Sequence, residues 1–288
     1  MTNTTPFISV VTAVYNGADY LPALIESVQA QTLTDYEHII IDDGSTDDGA
    51  TQAVIQRYAT DDPHIRWWGR ENKGAYPTQL EGLQAAQGDF VILINADDAF
   101  ATPDVFAQFR AFVDQHPDKR LIYGRTGRLD ETGTRLPQLD PHWRPSQWLI
   151  KQVCYVQHCS LFVSRDLLHT EQIWLNPDYR YVADWDWIIR LFQASEGKIG
   201  YLSSDVGCFR LHSGQRSRQA LEAIRAESHA LGRAYGARPW VHALIRRLLI
   251  IRAMLLIGLH TLRQQGPGAF LAKVRDWVQR RVWRSSTS

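Results

Sequence analysis

Three short apolar runs in the first hundred residues each stop abruptly at polar side chains, with helix-patterned segments between them. Phe7 to Val14 closes on Tyr15-Asn16-Gly17. His38 to Ile41 closes on Asp42-Asp43-Gly44-Ser45-Thr46-Asp47-Asp48, and Val91 to Ile94 on Asn95-Ala96-Asp97-Asp98. Unbroken runs of β-formers read as strands buried on both faces. Ile65 to Trp68 is a further short strand. Leu21, Leu24, Ile25 and Val28, then Val54, Ile55 and Tyr58, then a segment from about Tyr76 to Ala86 supply the helical crossovers that parallel strands require. Asp19 is expected to cap the first helix, and Ser45 or Thr46 the second. The pattern predicts an α/β fold with a Rossmann-like, mostly parallel central sheet flanked by helices. Ligands of such sheets bind outside the carboxyl ends of the strands, where these acids would gather.

The second half is less regular. Pro103 suits the start of a helix carrying Val105, Phe106, Phe109, Phe112 and Val113. Leu121 to Gly124 reads as a strand, and Gly127 to Ser146 as a polar, mobile loop. Val153 to Val163 reads as a strand interrupted by His158-Cys159-Ser160, and Trp174 to Tyr181 as an aromatic loop. A helix starts near Asp184, Ile199 to Leu202 is extended, and Cys208 to Gly214 closes the body.

The formal net charge is zero but unevenly spread. From Val241 onward there are nine Lys and Arg against the single acid Asp276, a net +8 that leaves −8 for the rest. Within this tail, Val241, Leu244, Leu248, Ile251, Leu255, Leu259 and Leu262 fall at helical spacing. Arg252 interrupts the run, which is therefore too short for a span of ~18 apolar residues. Gly266-Pro267-Gly268 then breaks it before a second basic segment with Trp277 and Trp283. Two readings stand: a helix lying in an anionic membrane surface, or a helical hairpin packed on the body or on a second copy of the chain, which would make a homodimer. Three cysteines form no disulfide framework. The start shows no basic segment followed by a long apolar one, so a cytoplasmic location, peripheral at the inner face of the membrane, is expected. No nucleic-acid partner is expected.

No G-x-x-x-x-G-K-[ST] occurs, and no G-x-G-x-x-G follows the first strand, so the phosphate loops of P-loop and dinucleotide folds are missing. An acidic sheet edge without such a loop points to Mg²⁺ or Mn²⁺ shared with substrate phosphates. For Asp97-Asp98 the competing reading is an Asp-rich turn capping the next helix. Cys154-x3-His158 and Cys208-x3-His212 could alternatively bind zinc.

Ser9 to Asn16, Ile41-Asp42-Asp43-Gly44-Ser45-Thr46-Asp47 and Asn95-Ala96-Asp97-Asp98, in this order and spacing, resemble family 2 glycosyltransferases of the GT-A fold, of the bacterial polysaccharide-biosynthesis type. His158-Cys159-Ser160 resembles a segment on the acceptor side of that site, Asp184-x5-Arg190 the helix start that carries the base, and His212-Ser213-Gly214 with Ser217 the closing H-x-G-x-x-S pattern. The resemblance implies a domain over 1–217, with a nucleotide-sugar half (1–102) and an acceptor half (103–217), and leaves 218–288 as a basic helical tail. It implies an inverting transfer from a nucleotide-diphosphate sugar to a hydroxyl of a glycan or lipid-linked acceptor in surface polysaccharide biosynthesis. Asp43 would meet the nucleobase, with Ala13 and Tyr15 lining its pocket. Lys73 would help hold the diphosphate, Asp97 would meet the donor sugar, and Asp98, with His212, would hold the metal. His158 and Arg190 would lie on the acceptor side. Asp184 would be the general base, with Asp186 its rival; a carboxylate is a weak base unless its surroundings raise its proton affinity.

The chain departs from the family pattern at Asn95, where an acid is common, at Ala183, where an acid often precedes the base, and at Pro77-Thr78-Gln79, where an Arg is often found. The acceptor specificity is therefore the part least implied. Two other functions fit a similar chain: a sugar-nucleotide pyrophosphorylase, which would want a basic glycine-rich loop where Tyr15-Asn16-Gly17-Ala18-Asp19 stands, and a non-catalytic membrane-associated scaffold.

Overall fold

A computed structural model describes residues 5–137, 143–215 and 220–245, and scattered positions between 247 and 268. In chain order the elements are β1 (Ile8–Val14), α1 (Leu21–Gln29), β2 (Tyr36–Asp42), α2 (Ala50–Asp61), β3 (Ile65–Gly69), α3 (Ala75–Ala85), β4 (Phe90–Leu93), β5 (Ala99–Phe100), α4 (Val105–Gln115), β6 (Leu121–Leu129), α5 (Gln147–Gln152), a 3-10 turn (His158–Ser160), β7 (Leu161–Ser164), α6 (Arg165–Thr170), α7 (Ala183–Ala194), β8 (Ile199–Arg210) and α8 (Leu221–Ala234).

The strands form one sheet in the order β3-β2-β1-β4-β7-β6-β8-β5. The first four are parallel, with Val11 opposite Ile39 on one side and Leu93 on the other. β7 runs antiparallel to both β4 and β6, and β6 and β8 are parallel again. Alternate strand residues point to opposite faces, and both faces are buried. Val11, Ile39, Ile41 and Leu93 pack with Leu83 of α3 and Trp187, Ile188 and Phe192 of α7. Ile8, Val10, Ile40 and Ile92 pack with Leu21 and Leu24 of α1, Ile55 of α2 and Phe106 and Phe109 of α4. One close approach requires a glycine: a Cβ on Gly82 of α3 would lie 2.3 Å from Cγ1 of Val11.

Several expectations change. The segment from Gly127 is not all loop, because β6 continues to Leu129 and pairs along β8 as far as Arg210. Its polar residues mislead, since Arg125 is held by Asp205 of β8 at 2.6 Å. Val153 to Val163 is not one strand: the Ser160 hydroxyl bonds Thr126, the Arg125 carbonyl and the Gly207 amide, and fixes a 3-10 turn before β7. Helices α5 and α6 have six residues each, too few to display a helical period. The expected caps are also replaced. Tyr20 precedes α1, and Gly49, at φ 84°, precedes α2. The Ser45 hydroxyl donates to Asp42 instead, while Asp47 accepts from the amide and hydroxyl of Thr51 in the first turn of α2.

Contacts divide the chain into one unit of Met1–Leu136 with His142–Pro239 and another of Pro137–Pro141 with Trp240–Ser288. The body therefore includes α8 and extends past the expected break at 217/218. In the second unit, described positions from Trp240 to Leu262 are helical, and Leu244, Leu248, Ile251 and Leu255 are exposed. Among the described residues no helix is long and apolar enough to cross a membrane. Ser217, Leu259 and the segment with Trp277 and Trp283 lie outside the described residues.

Candidate active site

β1 is flanked by β2 on one side and β4 on the other, so the direction of strand addition switches there. Chain segments leaving adjacent strands diverge at such a point and open a crevice. The cleft found there has a volume of about 840 Å³. Ala13 to Gly17, Asp43 and Asn95 to Asp97 form one wall, and Asn72 and Gln79 of the α3 region continue it, while the Tyr76 hydroxyl, also from α3, reaches Tyr181 and Asp184 opposite. His158, Tyr181 and Asp184 face that wall, and Phe209, His212 to Gln215 and Ile224 close the end.

The wall at the ends of β1 and β2 is laced together. Asp43, buried, accepts from the amides of Lys73 (3.0 Å) and Gly74 (2.8 Å) and from the Thr78 hydroxyl (2.7 Å), with the Arg70 guanidinium 3.6 Å away. This carboxylate shapes the turn into α3 and still faces the cleft. The Thr46 amide donates to Asn16, the Asn16 amide donates to Ser45, and the Tyr15 hydroxyl lies 3.2 Å from that of Thr46. Tyr15 remains half exposed. Lys73 is exposed and contributes its backbone amide here, while its side chain is not part of the cleft wall.

The two acids after β4 face different ways. Asp97 lines the cleft, with His212 Nε2 2.9 Å from its Oδ2. The His212 ring lies tilted by 40° against Tyr20, centroids 4.5 Å apart. Asp98 is fully buried and absent from the cleft wall. Its Oδ1 accepts from the Arg210 amide at 3.1 Å, and its Oδ2 finds no partner among the described residues. Burial, and then the charge of Asp97, push its pKa above the ordinary carboxylate range. The expected division, with Asp98 toward the metal and Asp97 toward the donor, runs against this placement. Asn95 accepts from Gln79 at 3.2 Å. Four zinc ligands do not converge: His158 and His212 pair with different aspartates, and no group of three or more metal-binding side chains occurs among the described residues.

Across the cleft, Asp184 stands in the first turn of α7. Its Oδ1 is 3.3 Å from the Tyr76 hydroxyl and its Oδ2 3.5 Å from His158 Nδ1. Burial alone would lower the His158 pKa, but Asp184, then Asp98 and Asp97, outweigh it and raise the value. Asp186, two residues on, points about 200° around the helix from Asp184. It is buried, and it is occupied by Arg190 (Nη2 at 2.7 Å) and by the Tyr235 hydroxyl at 2.7 Å. Arg190 also donates to the Trp174 carbonyl. The i,i+4 pair with Asp186 thus turns Arg190 away from the cleft, against the expected acceptor-side position. The sequence reading missed Tyr76, Gln79, Tyr20 and Ile224. Tyr76 and Gln79 sit in a segment legible only as a helix, and Ile224 in one assigned to the tail.

The sequence model described as Glycosyl transferase family 2 matches residues 9–169. Over 192 residues the chain is 30% identical to a PGL/p-HBAD biosynthesis glycosyltransferase of Mycobacterium bovis, covering 65% of this chain and 70% of that one. It is 34% identical over 162 residues to the uncharacterized protein y4gI of Sinorhizobium fredii, covering 54% of this chain. The matched part spans only 17% and 22% of the length of the first two relatives, y4gI and a glycosyltransferase of Rickettsia felis. Among solved structures, TarS residues 1–349 of S. aureus in complex with UDP-GlcNAc superposes with a TM-score of 0.64 at 19% identity, over 78% of this chain and 65% of that one. The mannosyltransferase PcManGT of Pyrobaculum calidifontis, in complex with GDP-Man and Mn²⁺, gives 0.58 at 15% identity over 99% and 84%. At these identities the two structures establish the shared GT-A fold.

Proposed function

Because the chain belongs to glycosyl transferase family 2, we propose that its cleft binds a nucleotide-diphosphate sugar and transfers the sugar, with inversion, to a hydroxyl of a glycan or lipid-linked acceptor. The observation that carries this reading is the opposition of two different sites across one cleft. Asp97 and His212 stand on one side, Asp184 with His158 and Tyr76 on the other.

On the donor side, Asp43 accepts a nucleobase N–H with the lone-pair capacity left on Oδ2, which takes one amide from the protein. Ala13 and Tyr15 bound the base. The donor set fits a divalent cation: a carboxylate and an imidazole nitrogen 2.9 Å apart at the cleft surface, with diphosphate and water to complete the shell. Asp97 and His212 are therefore assigned to Mg²⁺ or Mn²⁺ in place of Asp98, whose role becomes that of a buried anchor for the end of β8. When bound, such a cation offsets the negative charge that grows on the leaving diphosphate.

On the acceptor side, Asp184 takes the proton of the attacking hydroxyl as its oxygen bonds to the anomeric carbon. The bond from that carbon to the diphosphate oxygen breaks on the opposite face, which inverts the centre. The Tyr76 hydroxyl, whose proton is shared with the Tyr181 carbonyl, and the His158 ring, 3.5 Å away, flank the two carboxylate oxygens. Tyr181 and Phe209 offer flat apolar surfaces to the acceptor. The exposed Leu244, Leu248, Ile251 and Leu255, together with the basic composition of the tail, support attachment to the inner membrane face, where a lipid-linked acceptor of surface polysaccharide biosynthesis would lie.

A thermal-shift screen of UDP-, GDP- and dTDP-sugars with Mn²⁺ identifies the donor. Hydrolysis of that donor is expected to depend on Mn²⁺, to be lost in Asp97→Ala and to persist in Asp98→Asn. Loss in Asp98→Asn with retention in Asp97→Ala would restore the opposite assignment.

A further inference from the structure

Helix α8 lies outside the residues that match the family, and beyond the closing pattern at His212. Yet its Glu227 reaches back 45 to 47 residues to the loop ahead of α7. One carboxylate accepts three backbone amides in a row: Arg180 at 3.0 Å on Oε1, and Tyr181 at 2.6 Å and Val182 at 3.0 Å on Oε2. Val182 is the N-cap of α7 and brings no side-chain cap of its own. A charged acceptor at a helix N-terminus gains both from charge-assisted hydrogen bonds and from the helix dipole.

The clamped loop leads directly to Asp184. The carbonyl of Tyr181 accepts from the Tyr76 hydroxyl at 2.7 Å, and that hydroxyl is 3.3 Å from Asp184 Oδ1. Two further contacts dock the same helix. Leu231 is buried in the core cluster that contains Trp185, and Tyr235, just past the helix end, donates to Asp186. Ile224, one turn before Glu227, lines the cleft.

We propose that Glu227 is a positioning residue for glycosyl transfer: from α8 it clamps the amides of residues 180–182 and so sets the Tyr181–Tyr76–Asp184 chain that orients the base. The proposal rests on the reading of Asp184 as base. Without the clamp, the three amides lose their acceptor, the Tyr181 carbonyl drifts, and Tyr76 no longer fixes Asp184. The donor wall, built on strand ends, stays as it is.

The test uses the full chain and the nucleotide sugar selected by the thermal-shift screen, with hydrolysis as the turnover assay. Glu227→Ala is expected to lower kcat by 10- to 100-fold while the donor KM changes less than about twofold. Hydrogen exchange is expected to rise in the peptide covering 180–183 and not in that covering 43–48. Glu227→Gln, which keeps one carbonyl oxygen, should fall between Glu227→Ala and the wild type, and the exposed Glu222→Ala on the same helix should match the wild type. If Glu227→Ala folds too poorly to assay, Glu227→Gln decides by the same split between kcat and KM. Asp184→Asn, run in parallel, separates the two ideas. Wild-type turnover in Asp184→Asn defeats the base reading. Loss of turnover in Asp184→Asn with wild-type kcat in the Glu227 variants defeats the clamp alone.

Discussion

The two walls of the cleft are built differently. The donor wall stands on the ends of β1, β2 and β4, and its central acid, Asp43, takes its hydrogen bonds from Lys73, Gly74 and Thr78, 30 to 35 residues on at the start of α3. The acceptor wall stands on a helix start, and Asp184 is held by Tyr76, 108 residues earlier, and by His158. The loop beneath Asp184 is held by Glu227. On the proposed function, the nucleobase is met by local, pre-formed structure, whereas the metal pair Asp97–His212, 115 residues apart, and the acceptor are met by parts recruited from across the chain. Pre-formed sites avoid ordering costs on binding, so the nucleobase part of the donor wall should be rigid and the acceptor wall adjustable.

Three substitutions test that contrast, beginning with the largest expected effect. Asp184→Asn should cut sugar transfer by about 10²–10⁴-fold, the usual worth of a general base, and leave donor affinity in a titration calorimeter unchanged. A parallel loss of donor affinity would show that the two walls are not separable. Asp43→Ala should act on both stability and binding. It strands two amides, while the Thr78 hydroxyl keeps the Gly74 carbonyl; the loss costs about 2 kcal/mol in a denaturant melt, and it should weaken nucleotide binding at least tenfold. The smallest effect concerns the sheet beneath the donor wall. Burial lowers the pKa of His38 in β2 to about 3, against an ordinary 6.5. The unfolded chain thus binds a proton between these values that the native one refuses. Stability should be full above pH 6.5 and fall as pH drops toward 3, by a few kcal/mol at most. In His38→Gln, thermal melts across pH 4–7 should lose that part of the slope.

The donor wall was legible in the sequence because its ingredients are local. Unbroken apolar runs mark buried strands, and polar residues after them mark one sheet edge; Ala13, Tyr15, Asp43 and Asp97 all line the cleft at that edge. What could not be read there is which of two adjacent acids faces outward. Asp97 and Asp98 are alike as letters, and only the pairing of β8 with β6, which brings the Arg210 amide onto Asp98, separates them. Arg190 failed for a similar reason: its spacing from Asp184 hid a closer i,i+4 partner, Asp186. The long β6–β8 ladder was invisible because its polar residues pair with each other across strands, as Arg125 does with Asp205. Helix α8 carried no motif at all, and its role arises only from tertiary contact.

Gly82 gives the donor wall a control at a distance. With no side chain there, α3 settles against Val11 of β1, and the same helix carries Thr78 to Asp43 and Gln79 to Asn95. A single methyl at position 82 would lift the helix and move both hydrogen-bond donors without touching any residue that meets the nucleotide. With the donor site as proposed, nucleotide preference would therefore be set partly from the core, by the thickness of one helix–strand contact.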